Sequence, residues 1–356
     1  MLFSKRVLLT ALSAALFMQQ GVTQAAEYVD VLDTPSIMSQ LAIKSPLNSV
    51  TLAGNRLVAA GIRGHILYSD DAGKSWHQAS VPLSSDLTAV FFPTPENGWA
   101  VGHDGVVLHS ADSGATWTKQ LDGNQAGKIM LDYYTALAAT DPANEAYATL
   151  VDEAQRVADD GADKPFLDVW FADNQNGYVV GAFGLIFRTT DGGTSWVPQN
   201  EKVANPQGLH LNAIRGYGAE LTMVSEQGLV LRLDQASGKF LPVQTPFEGT
   251  YFGLMQGQRG IGLFGLRGMA FTSADGGANW KQLKLPVDNA LTATAMDADG
   301  TLYLFDQAGS MLSSTDGGST FQQMPQNAGT PVTGAVAVGK EALVLVGPRG
   351  VRVFPI

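Results

Sequence analysis

At 356 residues, with 45% apolar side chains, 40 glycines and a formal charge of −11, the chain is too apolar for bulk disorder and too glycine-rich for a fold of long helices. Its acidity repels phosphate backbones and anionic membrane surfaces unless a local basic patch overrides the field. There is no cysteine, which excludes a disulfide framework, a lipidated N-terminal cysteine and a thiol nucleophile.

Residues 1–25 read as a Sec-type signal peptide. Lys5 and Arg6 precede the apolar run Val7 to Phe17, and Thr23-Gln24-Ala25 offers small residues for cleavage. This predicts export to the periplasm, or to the thylakoid lumen if the organism is photosynthetic. The run is too short to span a bilayer, and no later stretch approaches roughly 20 unbroken apolar residues. One soluble domain over residues 26–356 is therefore expected.

From Gly64 onward one pattern occurs seven times: a strand-like run, a turn ending in glycine, and a second strand-like run. The copies centre on Gly64, Gly105, Gly184, Gly228, Gly268, Gly309 and Gly350, spaced 41, 79, 44, 40, 41 and 41 residues apart. Five copies run on into S-x-D-x-G-x-[ST]-W or a close variant: Asp71 with Trp76, Asp112 with Trp117, Asp191 with Trp196, Asp275 with Trp280, and Asp316 with Phe321. A decayed copy spans Asp234 to Phe240. In such an Asp box the carboxylate caps its own hairpin, the glycine takes a turn conformation closed to other residues, and the aromatic packs between sheets. A unit near 41 residues holding about four short strands is a propeller blade, so the fold class is all-β, a seven-bladed β-propeller. In blade 2 the expected strands are Leu87 to Phe92, Gly98 to Gly102, Val106 to His109 and Thr116 to Leu121. The seventh copy stops after its third strand, and residues 27–32 are expected to supply its fourth and close the ring, removing an exposed edge.

The one doubled interval holds an insertion between blades 2 and 3. Over residues 124–160 the periodicity is helical, with Met130, Tyr133, Tyr134 and Leu137 on one face and Tyr147, Leu150, Val151, Ala154 and Val157 on another. Asp141-Pro142 reads as the start of the second helix and Gly161 as its stop. Outer-to-inner connections share a face with the second-to-third-strand turns, so this hairpin should lie over or beside the entrance, as a lid or a docking surface.

Asp boxes at this spacing resemble bacterial neuraminidase repeats. The fuller pattern resembles the photosystem II stability and assembly factor family of seven-bladed propellers. It is carried best by Arg63-Gly64-His65-Ile66-Leu67-Tyr68-Ser69 running into Asp71-Ala72-Gly73-Lys74-Ser75-Trp76, and it extends from about residue 27 to 356 apart from the insertion. The resemblance implies a non-catalytic scaffold or assembly factor for a membrane protein complex, acting from the periplasmic or lumenal side. It also implies a basic patch built from arginines just before the blade glycine. Arg63, Arg267 and Arg349 match that position, with Arg352 nearby in sequence. Asp104, Phe183, Gln227 and Ala308 depart from it.

The competing reading is a carbohydrate-active protein, a sialidase-like hydrolase or a lectin. A sialidase needs three convergent arginines, a Tyr–Glu nucleophile pair and an acidic proton donor. The chain has no Arg-Ile-Pro segment of the sialidase kind, and the shared repeat position of its three arginines follows from repeat ancestry. The five histidines, His65, His77, His103, His109 and His210, lack metal-ligand spacing. Asp297-Ala298-Asp299-Gly300 reads as a hairpin turn rather than a calcium loop. Gly73-Lys74-Ser75 is part of an Asp box, not a phosphate loop. No catalytic residue, metal or cofactor is assigned. The expected partner contacts are Arg63, Arg267, Arg349, Arg352, His103, Asp104, Tyr133, Tyr134 and Tyr147, and the expected partner is a membrane protein or periplasmic complex rather than nucleic acid.

Overall fold

The computed structural model describes residues 29–356; the signal peptide and the first two residues of the expected closing strand lie outside the described residues. Seven antiparallel sheets follow one another along the chain, six of four strands and a last one of three. Their inner strands are Leu47–Ala53, Leu87–Phe91, Phe166–Phe171, Leu211–Tyr217, Tyr251–Gly257, Leu291–Met296 and Gly334–Val338. The second strand Gly98–Gly102 is buried throughout and its counterparts are mostly buried, because each lies mid-sheet and between two neighbouring sheets. The sheets pack face to face around a ring, and the apolar clusters span adjacent blades. One joins Leu47, Leu57 and Leu67 of the first blade to Val344 and Val346 of the last.

A polar belt reinforces the ring at the start of the inner strands. Asn48 donates to the Leu87 carbonyl at 2.7 Å, Thr88 to Phe166 at 2.7 Å, Asn212 to Tyr251 at 2.9 Å, Thr292 to Val332 at 2.5 Å, and Thr333 to Leu47 at 2.7 Å. Each bond ties one blade to the next, and the last ties blade 7 to blade 1. At the third junction, where Leu167 has no donor, Asp168 instead accepts from the Ile214 N–H at 2.9 Å.

The expected closing strand is not formed by the residues described. Residues 29–32 are coil and turn. Val31 accepts from the Ser84 N–H at 2.9 Å, Leu32 accepts from the Lys119 ammonium at 3.3 Å, and the buried Leu32 side chain packs with Ala79, Val81 and Leu83. Burial of Leu32 thus holds this stretch at the junction of blades 1 and 2, with all of blade 1 between it and the last sheet. Ring closure rests on packing and on the Thr333 bridge.

The insertion is a helical hairpin, α1 (Gly123–Thr140) and α2 (Glu145–Asp160). Asp122 caps α1 in a capping box with Gln125. The second helix starts later than Asp141-Pro142 suggests: Asp141 is the C-cap of α1, and Asn144 caps α2 by accepting from the Ala146 N–H at 3.1 Å. Asn144 wins because its side chain reaches the free N–H groups of the first turn. Gly161 stops α2 at φ +73°. Among the described residues no helix is long and apolar enough to cross a membrane.

Candidate functional site

The turns between second and third strands form one end of the ring. In five blades the residue before the blade glycine takes the left-handed conformation: Arg63 (φ +56°), Asp104 (+57°), Phe183 (+55°), Gln227 (+53°) and Arg267 (+58°). Two successive left-handed residues turn the chain so tightly that the first side chain is thrust outward. The turn also needs Gly61, where a Cβ would come within 2.3 Å of the Pro46 carbonyl. Arg63, Phe183 and Arg267 are consequently exposed; in blade 2 Asp104 is half-buried and His103 before it is exposed. The Arg63 N–H is held by the Asp86 carboxylate at 2.7 Å, and its carbonyl accepts from the Ser36 hydroxyl at 2.9 Å.

Blade 7 departs from this geometry. Gly347 pairs directly with Gly350, so Pro348 and Arg349 form a two-residue turn. Arg349 is exposed, but Arg352 is half-buried and donates to the Ala328 carbonyl. Burial lowers its pKa, and Arg349 lowers it further. Arg352 therefore braces the connection between blades 6 and 7 instead of extending the exposed patch.

The hairpin begins against the blade 2 turn, where a Cβ on Gly105 would lie 2.7 Å from the Gly123 Cα. It stands beside the entrance and lines none of the central channel. Tyr133 and Tyr134 face inward, which corrects their expected role as surface contacts. Tyr134 is fully buried, accepts from the Asn200 N–H at 2.9 Å and donates to Glu201 at 3.1 Å. Tyr133, half-buried, also donates to Glu201 at 3.1 Å; burial, then the nearby carboxylate, pushes its pKa up to about 12. Tyr147 is half-buried beside it. Ala126, Met130, Tyr134 and Ala154 join Phe166, Phe187 and Trp196 in one apolar cluster, so the tyrosines fasten the hairpin to blade 3.

At the other end of the ring the Asp boxes are closed structures. Asp71 accepts from the Ser75 N–H at 2.8 Å, the Ser75 hydroxyl at 2.5 Å and the Ser69 hydroxyl at 2.8 Å. Asp112, Asp191, Asp275 and Asp316 each accept the equivalent N–H at 2.9 Å. The bonds from Ser75 hold Asp71 down to about 2, and those from Asn279 do the same for Asp275. Trp117, Trp196 and Phe321 are buried against the preceding blade, whereas Trp76 and Trp280 are only half-buried. Carboxylates bonded in this way to their own hairpins are explained by the turns they hold.

The central channel encloses about 300 Å³ between the inner strands. Asn48, Thr88, Asn212 and Thr292 give it polar walls. Its charged lining residues, Asp168 and Arg215, are bonded to each other. Among the described residues no group of His, Asp or Glu side chains is arranged to hold a metal.

A family model described as "Photosynthesis system II assembly factor YCF48" matches residues 54–131 and 150–246, which carry blades 1 to 4 and omit the tip of the hairpin. The chain is thus similar to the photosystem II assembly factor-like family of Asp-box propellers. It is 25% identical over 313 residues to "Photosystem II assembly protein Ycf48" of Synechococcus sp. (strain JA-2-3B'a(2-13)), spanning 77% of this chain and 87% of that protein. A solved structure, "YCF48 bound to D1 peptide", superposes with a TM-score of 0.64 at 18% identity, covering 89% of this chain and 95% of that one. Virginiamycin B lyase from Staphylococcus aureus gives the same TM-score at 12% identity, covering 91% and 99%. The propeller shape therefore says nothing by itself about catalysis.

One part of the entrance face escaped the repeat pattern. Residues 36–44 cross from blade 1 to blade 7: Gln78 donates to the Ile37 carbonyl at 3.0 Å, and the Ile43 carbonyl lies against Gly350. Their apolar side chains point outward, with Ile37 75%, Met38 64% and Leu41 66% exposed next to the Arg63 turn. Only its end has a counterpart in the repeats, since the Leu83, Phe247 and Val287 carbonyls meet Gly64, Gly228 and Gly268 as Ile43 meets Gly350. The signal available was its apolar residues outside any strand pattern.

Proposed function

We propose that the chain is an exported, non-catalytic assembly factor that holds an extended part of a membrane protein complex on its entrance face. The observation that carries this is the exposure of Arg63 and Arg267 on left-handed turns, with Arg349 exposed on the neighbouring last blade and Ile37, Met38 and Leu41 alongside. Cations mixed with apolar side chains suit an anionic segment with apolar anchors: the charges steer and orient it, and the apolar contacts retain it. The relatives named as photosystem II assembly proteins, and the similar propeller bound to a D1 peptide, support a membrane protein as client. The signal-like first residues support the periplasmic or lumenal side.

Two observations favour holding over chemistry: the Asp-box carboxylates are bonded to their own hairpins, and the channel's Asp168 and Arg215 are paired with each other. A sialidase would need its arginines to converge on one carboxylate. Here they stand on blades 1, 5 and 7, and the blade 6 turn between the last two carries Ala308.

The test is crosslinking in intact cells with wild type and the triple variant Arg63→Glu, Arg267→Glu, Arg349→Glu. The expected result is loss of the captured membrane protein with the melting temperature unchanged. Capture by the variant at the wild-type level would refute the assignment. Turnover of a fluorogenic sialoside by the wild type would refute the non-catalytic reading.

A further inference from the structure

Among the described residues no strand covers the outer edge of the last sheet, and its sister blades define what fits there. In blades 1, 3 and 5 the outer strand pairs with the third, and one bond recurs: Ala79 donates to the Ile66 carbonyl at 2.8 Å, Gln199 to Ile186 at 3.1 Å, and Leu283 to Ala270 at 2.9 Å. The donating residue is buried each time, Ala79 to 1% exposure and Leu283 to 7%. In blade 7, Val351 faces Val346 as Ile66 faces Ala60, and Val353 faces Val344 as Tyr68 faces Val58. Val351 and Val353 therefore hold the positions that an outer strand engages. The Ile356 N–H is bonded inward to Glu341 at 3.1 Å, so by alternation the peptide groups of Val351 and Val353 point out of the sheet. Among the described residues no strand meets them.

The side chains around this edge are also short of cover. Val353 is 43% exposed and lies against the blade 1 Asp box, where a Cβ on Gly73 would be 3.2 Å from it. Trp76 of that box shares an apolar cluster with Val351 and is half-buried, as Trp280 is beside the complete blade 4. Within the described chain, residues 36–44 reach this sheet at Gly350 through the Ile43 carbonyl without forming a strand there, and residues 29–32 are held at the junction of blades 1 and 2.

We propose that the edge of Gly350–Pro355 takes an extended segment of a partner protein as the fourth strand of blade 7, with an apolar residue bonded to the Val351 carbonyl and acidic residues at its downstream end. Strand addition satisfies an edge's unpaired groups, and the pockets beside it select alternate side chains. The polarity follows from the topology. The third strand runs away from the entrance face, so an antiparallel segment runs back toward it and ends beside the exposed Arg349 and the half-buried Arg352, whose guanidinium also holds the Ala328 carbonyl. Residues 347–356 contain those two cations and no carboxylate side chain, in a chain of net charge −11. This site is on the rim, apart from Arg63 and Arg267, and goes beyond the reading given above.

The probe is a fluorescein-labelled peptide copying residues 281–285, which begin with the outer strand of blade 5, extended by two glutamates. Fluorescence anisotropy should show saturable binding to the full mature chain, and hydrogen exchange should show new protection at Val351 and Val353. N-methylating the first leucine removes the N–H aimed at Val351 and should weaken binding about tenfold or more. Replacing the two glutamates by lysines should also weaken it. Val353→Pro removes one outward N–H at an edge position that tolerates proline, and should abolish binding at an unchanged melting temperature. Equal binding of the N-methylated peptide would overturn the proposal. Protection of both amides in the peptide-free chain at every dilution would overturn it in favour of an occupant from the same chain, and protection that grows with protein concentration would do so in favour of a second copy. Client capture by the triple arginine variant at the wild-type level, with peptide binding by the wild-type chain intact, would be the separate failure of the entrance-face reading.

Discussion

Thr333→Val tests whether the ring is closed by side chains. The hydroxyl donates to the Leu47 carbonyl at 2.7 Å, with the Val346 carbonyl at 3.2 Å, and Leu47 is completely buried. Valine keeps the volume and leaves a buried acceptor without its donor, a loss of about 1–3 kcal/mol. Spread over an unfolding entropy of roughly 2.1 cal/mol/K per residue, that lowers the melting temperature by on the order of 2–4 °C. The sharper readout is local. Thr88 makes the same pair of contacts, to Phe166 at 2.7 Å and Val101 at 3.1 Å, but between blades that are also joined by the chain and by the hairpin. Native-state hydrogen exchange should therefore accelerate roughly 5- to 150-fold in the inner strands of blades 1 and 7 for Thr333→Val. Thr88→Val should show no such confined opening. Equal, delocalised acceleration in both variants would refute side-chain closure and indicate that a strand outside the described residues holds the ends together.

Tyr134→Phe removes the hydroxyl that joins the hairpin to Asn200 and Glu201 while keeping the buried ring. Limited proteolysis within residues 141–144 should quicken, with the rest of the chain as resistant as wild type; unchanged cleavage would mean that the apolar contacts suffice. Acid should act through the Asp boxes. The pKa values of Asp71 and Asp275 are lowered from 3.8 to about 2 by hydrogen bonds made only in the folded state, so their contribution is complete above about pH 4 and is lost as pH falls toward 2. The melting temperature should be level between about pH 7 and 5 and fall below about 4. Removing the donors with Ser75→Ala and Asn279→Ala should shrink that acid-dependent part, and an identical pH profile would refute the assignment.

The architecture was legible because each repeat states the same local physics. The glycine pairs at the turns and the Ser–Asp–Gly–aromatic boxes recur at the period of one blade, and each specifies its hairpin from residues within a few positions. The hairpin insertion was legible from helical spacing and from Gly161, but its second cap was not, since Asp141 and Asn144 are both competent caps and only the geometry of the connection selects between them. Arg63, Arg267 and Arg349 were found through a shared sequence position. That position does not fix their surroundings: blade 7 pairs its strands one residue out of step with blade 1, and Arg352 turns inward as a result. Tyr134 read as a surface anchor because an amphipathic stripe looks the same whether it meets a partner or the chain's own third blade.

Blade number, the place of the insertion and the residues of the turns and boxes could all be read from the order of amino acids, since each follows from contacts close along the chain. The manner of ring closure, the arginines that face solvent and the edge that no described strand covers emerged from the folded molecule alone. They depend on residues far apart in the chain, Thr333 with Leu47, Arg352 with Ala328, Leu32 with Val81, and a repeat pattern carries no information about how its two ends meet.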